Sequence, residues 1–396
     1  MKHLGDITKI SGYDVPIVDC VIGGSPCQDL SLAGKRAGLD GERSGLFMEQ
    51  VRIVKEMREH DKRYGKTNES IRPRFMVWEN VPGAFSSNKG QDFRVVLEEI
   101  AKVAEVEAVI PMPPKNKWTT SGCIVGDGWS IAWRVLDAQF WGVPQRRRRI
   151  ALVADFGGEC AEEILFVRNG LQGDSSQSRE KRQGASEDAE GCIASDDSKG
   201  SRVVIALDRE TYNCGQNFAR TPGIYEDGIN PTIVSRGPSA VCYVVGIDCY
   251  NQALTGDVAK SLTNRATDSD HVPCVVMHQE AIVRRLTPLE CERLQGYPDL
   301  WTDIGEYTDS NGKKKKSADA SRYKALGNSI ALPPWKWVLK RICSHYERDA
   351  TMASLFDGIG GFPIIWEQLN GKGTCLWASE IEEFPMAVTA KRICER

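Results

Sequence analysis

The sequence lacks several features that would define whole classes of protein. No run of about 18 apolar residues occurs, so no segment is predicted to cross a membrane as a helix. Residues 1–6 carry no apolar stretch typical of a secretory signal, and no two cysteines have C-x-x-C spacing. The 13 cysteines are scattered, which indicates free thiols in a reducing compartment rather than disulfides or a zinc site. We therefore expect a cytoplasmic protein that holds no metal ion and contacts no membrane.

A strong excess of charge is also absent. The 51 basic and 54 acidic residues leave a net charge of −3, so a nucleic-acid partner would have to bind a local basic surface. The length of 396 residues exceeds the roughly 250–300 residues at which single hydrophobic cores stop growing. This length predicts one substantial domain and a smaller one.

Apolar runs alternate with helical spacings through residues 1–156 and again after residue 352. Strands are predicted at 17–22, 75–78, 131–136, 150–154, 352–356 and 375–378. Helices are predicted at 46–57, 91–104 and 333–343, with a further helix start at 287–290. This alternation is typical of an α/β domain whose mostly parallel sheet has helices on both faces.

The composition changes after residue 157. Residues 170–200 are rich in Ser, Gly, Asp and Glu, which predicts a flexible insertion. Two similar stretches follow, starting near 206 and 246, and we interpret them as a degenerate repeat of short strands, with chance similarity as the alternative. Residues 157–280 are thus predicted to form a smaller, irregular, β-rich domain. Residues 281–343 would return to the first domain, with a polar loop at 307–320, and 344–351 would link it to 352–396.

A glycine-rich turn at residues 357–361 follows one predicted strand and precedes a helix. Glycines at such a turn let the backbone approach a ligand and present helix N-terminal amides to it. Glu380 ends the next strand about twenty residues later, an offset at which an acid typically bonds ribose hydroxyls. Together they favour an adenosine-containing cofactor, although glycines alone would also fit an ordinary tight turn.

Three further groups of polar residues stand at strand ends. Cys27 lies between a proline and a polar run just past a strand, where a thiolate would be exposed and able to attack. Glu79 holds the equivalent place after the second strand, although a surface acid capping a turn is equally compatible with that position. In the basic run that follows Pro144, alternate residues point the same way, so Gln145, Arg147 and Arg149 would share one face. A solvated surface is the alternative for this run.

Taken together, the motif set resembles that of DNA cytosine-C5 methyltransferases. Its members are Pro26-Cys27-Gln28, Glu79-Asn80-Val81, Gln145-x-Arg147-x-Arg149, Arg285-Leu286-Thr287 with 292–298, Gly327-Asn328-Ser329 and Phe356-x-Gly358-x-Gly360-Gly361. The resemblance covers nearly all of the chain outside 157–280. It implies a Rossmann-like methyltransferase domain, S-adenosylmethionine as cofactor, duplex DNA as partner, and a target-recognition role for 157–280. It also implies a bacterial or phage-encoded enzyme acting as a monomer, either beside a restriction endonuclease or alone.

The resemblance assigns roles to individual residues. Cys27 would add to cytosine C6, Glu79 would hold or protonate N3, and Arg147 and Arg149 would orient the base and stabilise the adduct. Residues implied for the cofactor are Asp6, Ile7, Pro26, Asn328, Phe356, Gly358, Gly360, Glu380 and Ile381. Residues implied for DNA, several of them on a loop closing over a flipped-out base, are Gln28, Ser31, Lys35, Arg36, Arg43 and Gln145. Candidate readers of base edges are Arg220, Arg236, Asn264 and Arg265.

The order of the motifs departs from that of the family. The glycine-rich cofactor motif, which usually comes first, here comes last, and Asp6 stands near the start of the chain. Joining Arg396 to Met1 would restore the usual order, so we interpret the chain as a circular permutant in which 344–351 bridges the former termini.

Other functions remain open at this level. An RNA cytosine methyltransferase could use the same scaffold, with residues 157–280 carrying the difference. A non-catalytic DNA-binding relative would not need Cys27, Glu79 and the paired arginines. An NAD-dependent enzyme would explain the glycine turn and Glu380 but would leave the other motifs without a role.

Overall fold

The structure is a computed structural model that describes residues 1–26, 45–67, 70–166 and 286–394, together with six short strands between 204 and 285. The predicted insertion at 170–200 and the candidate base readers Arg220, Arg236, Asn264 and Arg265 lie outside the described residues. Among the residues described, no helix is both long and apolar enough to span a membrane.

Strands and helices alternate over most of the chain. The strands are β1 Lys2–His3, β2 Cys20–Gly23, β3 Phe75–Asn80, β4 Ser121–Gly126, β5 Trp129–Asp137, β6 Arg148–Asp155, β7 Val204–Leu207, β8 Ile224–Tyr225, β9 Ala240–Tyr243, β10 Ile247–Asp248, β11 Ala253–Leu254, β12 Ile282–Arg285, β13 Glu306–Thr308, β14 Lys314–Lys316, β15 Met352–Leu355 and β16 Cys375–Ser379. The α-helices are α1 Gly45–Arg63, α2 Gln91–Ala101, α3 Ala161–Leu165, α4 Pro288–Leu294, α5 Asp319–Asn328, α6 Leu332–Cys343, α7 Gly361–Asn370 and α8 Glu383–Thr389.

One mixed sheet of eight strands organises the molecule, in the order β1-β16-β15-β2-β3-β6-β5-β4. The first five strands of that order are parallel to one another, and β6, β5 and β4 then run antiparallel to their neighbours. The predicted α/β class with a mostly parallel sheet is therefore confirmed. The strand that leads into the glycine turn, β15, lies in the middle of the sheet, between β16 and β2.

The sheet is buried on both faces, as the continuous apolar runs predict. Successive residues of β2, β3 and β6 alternate between two core clusters: Ile22, Val77 and Val153 belong to one, whereas Val21 and Met76 belong to the other. Helices α1 and α2 cover the second cluster, and α4, α6 and α7 cover the first. The packing on both faces leaves the strand ends as the place where polar side chains can reach a ligand.

Helix starts follow the local signals in the sequence. The predicted start at 287–290 is confirmed, because Thr287 and Glu290 form a reciprocal capping box around Pro288. The helices predicted at 46–57, 91–104 and 333–343 are present as α1, α2 and α6, each within a few residues of the expected bounds except for the longer C-terminal end of α1.

Two segments differ from the sequence-based expectation. Residues predicted as a polar loop at 307–320 contain the β13–β14 hairpin and the start of α5. The hairpin carries no apolar alternation, but Tyr307 packs against Phe384 at a ring-centroid distance of 5.8 Å, which anchors it. Strand β4 has no counterpart among the predicted strands; its residues are alternately exposed, and Gly122 leaves room for the ring of Trp133.

The segment 344–351 connects α6 to β15 and is firmly attached to the body of the protein. The buried carboxylate of Asp19 accepts hydrogen bonds from Arg348 at 2.7 and 2.8 Å and from the backbone N–H of Thr351 at 2.8 Å. Burial acts to raise the pKa of Asp19, but the hydrogen bonds and the charge of Arg348 outweigh it, so the pKa is lowered. The ion pair between the exposed Arg348 and the buried Asp19 therefore attaches this connection to the body of the protein.

Between residues 204 and 285, the described strands form two small antiparallel sheets, in the orders β12-β9-β7-β8 and β10-β11. The short helix α3, which precedes them, packs its residues Ala161 and Ile164 into the first core cluster of the large sheet. The domain boundaries at 157 and 280 stay predictions.

Candidate active site at the carboxyl edge of the sheet

The carboxyl ends of the parallel strands meet at one edge of the sheet. The strand register places Ser379, Leu355, Gly23 and Trp78 on one row across β16, β15, β2 and β3. One step further along these strands, the edge is formed by Glu380, Phe356, Gly24 and Glu79. Because β6 is antiparallel to β3, its first residues, Arg148 and Arg149, lie at the same edge. Open α/β sheets bind their ligands at such an edge.

The glycine turn after β15 has a strained backbone shape. Phe356, Gly358 and Gly360 all have positive φ angles, of 56°, 58° and 79°. The two glycines have different surroundings. A Cβ at Gly358 would meet nothing within 4 Å, whereas one at Gly360 would lie 2.6 Å from Cδ1 of Ile393. Gly358 therefore leaves space beside the turn, and Gly360 allows the turn to pack against the helix that follows β16.

Glu380 organises the neighbouring turn after β16. Its Oε2 accepts a hydrogen bond from the backbone N–H of Gly358 at 2.7 Å, which ties the two turns together. Its Oε1 accepts from the N–H groups of Ile381 and Glu382 at 2.7 and 2.9 Å. A carboxylate has about four acceptor positions, so capacity remains for a ligand hydroxyl. Ile381 presents an apolar side chain that is 69% exposed directly beside this carboxylate.

Asp357 is a feature that the sequence reasoning missed. Its carboxyl group is buried; Oδ1 accepts from the Ser354 hydroxyl at 2.6 Å, and Oδ2 has no hydrogen-bond partner among the described residues. Burial raises the pKa of Asp357 to about 8, and the charge of Glu380 acts in the same direction. The only signal in the sequence is an acid placed inside the glycine turn.

These residues fit an adenosine-containing cofactor. The turns offer a buried carboxyl oxygen without a partner at Asp357, open space at Gly358, and an exposed apolar surface at Ile381 next to the Glu380 carboxylate. A flat apolar ring would lie against Ile381, and vicinal hydroxyls would donate to the Glu380 carboxylate. Within the part of the chain that the structure describes, no group of His, Cys, Asp and Glu is arranged to hold a metal ion.

The residues after β1 lie at the same edge, since Leu4 N–H donates to Ala378 O at 2.8 Å. Asp6 caps the short helical turn that follows it, accepting from the backbone N–H and the hydroxyl of Thr8 at 3.0 and 2.8 Å. The Thr8 hydrogen bonds lower the pKa of Asp6. Ile7, in contrast, is 3% exposed and packs in the core, so its side chain is not available to a cofactor.

Glu79 and Arg149 form an ion pair beside the turn that leads to Cys27. Oε1 of Glu79 lies 2.8 Å from Nε of Arg149, and both side chains are mostly buried. Gly24 lies under this pair, because a Cβ there would be only 2.7 Å from Oε2 of Glu79. The acid and the basic run, both assigned to the site from the sequence, are thus brought together in space.

The turn beside this pair is held by two buried hydrogen bonds. Trp78 Nε1 donates to the Ser25 hydroxyl at 3.0 Å, and Asn80 Nδ2 donates to the Ser25 carbonyl at 3.1 Å. The described chain then reaches Pro26, which is exposed. Cys27, Gln28, Ser31, Lys35, Arg36 and Arg43 lie outside the described residues.

Arg147 holds the chain after α5. Its guanidinium is 2% exposed and donates through Nη2 to the carbonyl of Gly327 at 3.1 Å and to that of Ser329. Burial lowers the pKa of Arg147, and the charge of Arg149 adds to this effect. Asn328, which lies between the two carbonyls, is exposed. Arg147 is therefore bound to the backbone on either side of Asn328.

Gln145 is a further buried polar group at this edge. Its side chain is fully buried, and within the described residues neither its Oε1 nor its Nε2 has a hydrogen-bond partner. Burying an amide without partners costs about 1–3 kcal/mol judged from mutational data. Such a group is expected where another segment or a ligand completes the site.

A mixed, mostly parallel sheet with a glycine turn and acids at its carboxyl edge defines a Rossmann-like α/β class that binds nucleotide-type cofactors. Within this class, the sequence profile of C-5 cytosine-specific DNA methylases matches residues 1–104 and 125–344. The chain belongs to this family, whose cofactor is S-adenosylmethionine.

Two named proteins are similar over most of this chain. A protein named DNA N-6-adenine-methyltransferase, from Escherichia phage P1, is 29% identical over 86% of this chain and 55% of its own length. Type II methyltransferase M2.BsuMI of Bacillus subtilis is 26% identical over 85% of this chain and 63% of its own length. The chain therefore spans only 55% and 63% of these two relatives.

Further similarities are shorter or weaker. DNA (cytosine-5-)-methyltransferase M.ApeKI of Aeropyrum pernix is 30% identical over 41% of this chain and 32% of its own length. Among solved structures, the S. pombe Dnmt2 methyltransferase shows 15% identity, covering 86% of this chain and 83% of that chain, with a TM-score of 0.42.

Proposed function

We propose that this chain transfers a methyl group from S-adenosylmethionine to C5 of cytosine in duplex DNA. The observation that carries the proposal is the shared sheet edge. The strand that leads to Cys27, β2, lies between β15, which carries the glycine turn, and β3, which carries Glu79 with its partner Arg149. A nucleophile, an acid and a cofactor turn at one edge are the parts that this reaction requires.

The chemistry begins with a cysteine because C5 of cytosine is too weak a nucleophile unaided. Addition of the Cys27 thiolate to C6 forms a C–S bond and converts the ring into an enamine, whose C5 is electron-rich. S-adenosylmethionine, when bound, supplies an electrophilic methyl group. Once C5 has bonded to that methyl group, transfer of the C5 proton to a base allows the C–S bond to break. The bonding pair returns to sulfur, which restores the thiolate and the aromatic ring.

Glu79 and the two arginines would offset the charge that develops on the base. Glu79 would contact N3 and the exocyclic amine, where negative charge accumulates as the thiolate adds. Arg149 holds that carboxylate at 2.8 Å and would stay beside the base. Arg147, bound to the carbonyls of Gly327 and Ser329, would act by fixing the wall of the pocket around Asn328.

The cofactor would be held by the turns after β15, β16 and β1. Glu380 would accept the ribose hydroxyls and Ile381 would cover the adenine ring, while Gly358 leaves space for the ligand. Asp6 would accept from the adenine amine, and the free oxygen of Asp357 would face a polar group of the cofactor. The base would reach the pocket by rotating out of the duplex, because C6 is covered inside the DNA stack.

The test is transfer of a labelled methyl group from S-adenosylmethionine, with duplex DNA and transfer RNA offered in parallel. We expect label on C5 of DNA cytosine, and we expect Cys27→Ser to abolish transfer while cofactor and DNA binding stay nearly unchanged. Label on RNA alone, or on adenine N6 as the name of the phage P1 relative describes, would replace the proposed substrate. Appreciable turnover by Cys27→Ser would contradict the covalent step.

We further propose that the motif order results from a circular permutation. Two features support it: the cofactor strand β15 lies in the middle of the sheet, and the N-terminal strand β1 pairs with β16, in register from Lys2 and Trp377 onward. A single cut between residues 347 and 348 should leave cofactor affinity largely intact, because Asp19 keeps Arg348 and Thr351 in place. Complete loss of cofactor binding after such a cut would contradict the proposal.

A further inference from the structure

The turn that carries Glu380 and Ile381 is held from outside by two lysines. Lys324, on α5, donates to both carboxylate oxygens of Glu382 at 2.8 and 2.9 Å. Lys315, on β14, lies 3.0 Å from Oε2 of Glu383, whose Oε1 accepts from Ser310 at 2.6 Å. Both lysines come from the 306–328 segment, far from the turn in sequence.

These contacts act on a short stretch dense in negative charge. Residues 380–383 include three carboxylates, Glu380, Glu382 and Glu383. Like charges this close repel one another, and the repulsion would open the turn unless cations oppose it. The hydrogen bond from Ser310 and the charge of Lys315 lower the pKa of Glu383. In turn, Asp309 and Glu383 raise the pKa of Lys315, as expected for an ion pair.

The shape of this turn determines where the predicted adenosine contacts stand. The Glu380 carboxylate accepts from the N–H groups of Ile381 and Glu382, so a change in the backbone at 381–382 moves that carboxylate. The same change would move the exposed side chain of Ile381. Lys324 holds the carboxylate of Glu382, and Lys315 holds that of Glu383.

We propose that Lys324 and Lys315 are positioning residues for the cofactor, holding the 380–383 turn in the shape that receives adenosine. This inference rests on the proposed function, because it assigns the turn to S-adenosylmethionine. The lysines act through Glu382 and Glu383 and not through a contact with the cofactor. Their effect should appear in cofactor affinity and not in the chemical step.

The test measures the Kd of S-adenosylmethionine by titration calorimetry on the full chain, without DNA. A single exposed ion pair contributes little, so Lys324→Gln is expected to weaken binding about threefold, and Lys324→Glu, which adds repulsion from Glu382, about tenfold. The charge swap Lys324→Glu with Glu382→Lys should restore most of the affinity. Methyl transfer at saturating cofactor should keep its kcat within about twofold.

The matched control is Lys316→Glu, which makes the same change of charge at the last residue of β14, directly after Lys315. Lys316 is exposed, and among the described residues no ion pair joins it to a carboxylate. Its replacement therefore alters the net charge of this surface to the same extent without breaking a contact to the 380–383 turn.

An equal loss of affinity in Lys316→Glu, or no loss in Lys324→Glu, would overturn the inference, as would failure of the charge swap to restore binding. A wild-type chain that binds no S-adenosylmethionine would instead remove the proposed function on which the inference rests. In 0.5 M NaCl the difference between wild type and Lys324→Gln should shrink, since exposed charges are screened within about 4 Å there.

Discussion

Replacing Gly24 by alanine tests the placement of Glu79 with a single methyl group. Gly24 has no positive φ angle, so alanine fits its backbone without strain. The added Cβ would lie 2.7 Å from Oε2 of Glu79, whereas ordinary van der Waals contact begins at 3.4 Å. The carboxylate must therefore retreat by about 0.7 Å, and being the end of a flexible side chain, it can do so.

The expected consequence is a loss of rate with little loss of stability. Displacing a catalytic group by about 1 Å costs on the order of 10²-fold in rate, so we expect kcat to fall about 10- to 100-fold. The free energy of unfolding should change by less than about 1 kcal/mol, because the clash is relieved by a side chain and not by the core. The affinity for S-adenosylmethionine should stay unchanged, since Glu79 does not lie in the cofactor turns.

The assay combines single-turnover methyl transfer, cofactor titration and thermal unfolding. Gly83→Ala is the matched control, because a Cβ at Gly83 would meet only Cγ2 of Val81, at 3.8 Å. Full activity in Gly24→Ala would refute the prediction that the rate of methyl transfer depends on the position of the Glu79 carboxylate next to Gly24. A large drop in the melting temperature would show that the backbone moves instead of the carboxylate.

Three other substitutions probe separate parts of the site. Gly360→Ala would place a side chain at a φ of 79°, with its Cβ 2.6 Å from Ile393. The free energy of unfolding measured in urea should therefore fall by about 2–4 kcal/mol, and cofactor binding should be lost. A variant that stays stable and binds the cofactor would contradict the packing described. Asp357 has its pKa raised to about 8, so the native state holds a proton that the unfolded chain releases above about pH 4. The free energy of unfolding should therefore fall as the pH rises from about 4 to 8, and Asp357→Asn should remove this dependence; an unchanged pH profile would refute it. Arg147→Met leaves the buried carbonyls of Gly327 and Ser329 without their donor. The free energy of unfolding measured in urea should therefore fall by about 2–4 kcal/mol. A fall below about 1 kcal/mol would show that these two hydrogen bonds do not stabilise the fold.

Local patterns in the sequence predicted most of the sheet and the edge where the site lies. Apolar runs marked β2, β3, β5, β6, β15 and β16, and a polar residue just past a run marked each strand end. Because parallel strands share one edge, Glu79 and Glu380 could be assigned to the same side of the sheet from the sequence alone. The capping signal at Thr287 likewise depends only on residues three apart.

The remainder depends on contacts that have no local signature. Asp357 differs from any acid in a turn only by its burial, which depends on the elements that pack around the turn and not on its own neighbours in sequence. The ion pair between Asp19 and Arg348 joins residues 329 positions apart, and neither residue alone indicates its partner. The hairpin β13–β14 is polar apart from Tyr307, so its strands could not be recognised by alternation.

The position of β15 in the sheet also determines when the protein can fold during its synthesis. Strand β2 pairs with β15, and the neighbouring contact between Asp19 and Thr351 spans 332 positions. Until β15 and β16 leave the ribosome, β1 lacks the strand with which it pairs, and one edge of β2 stays open. At about 5–20 residues per second, that edge is exposed for roughly 16–70 seconds, and an open apolar edge invites pairing with other chains. Production of this protein should therefore benefit from a low concentration of nascent chains, or from chaperones that cover the open edge.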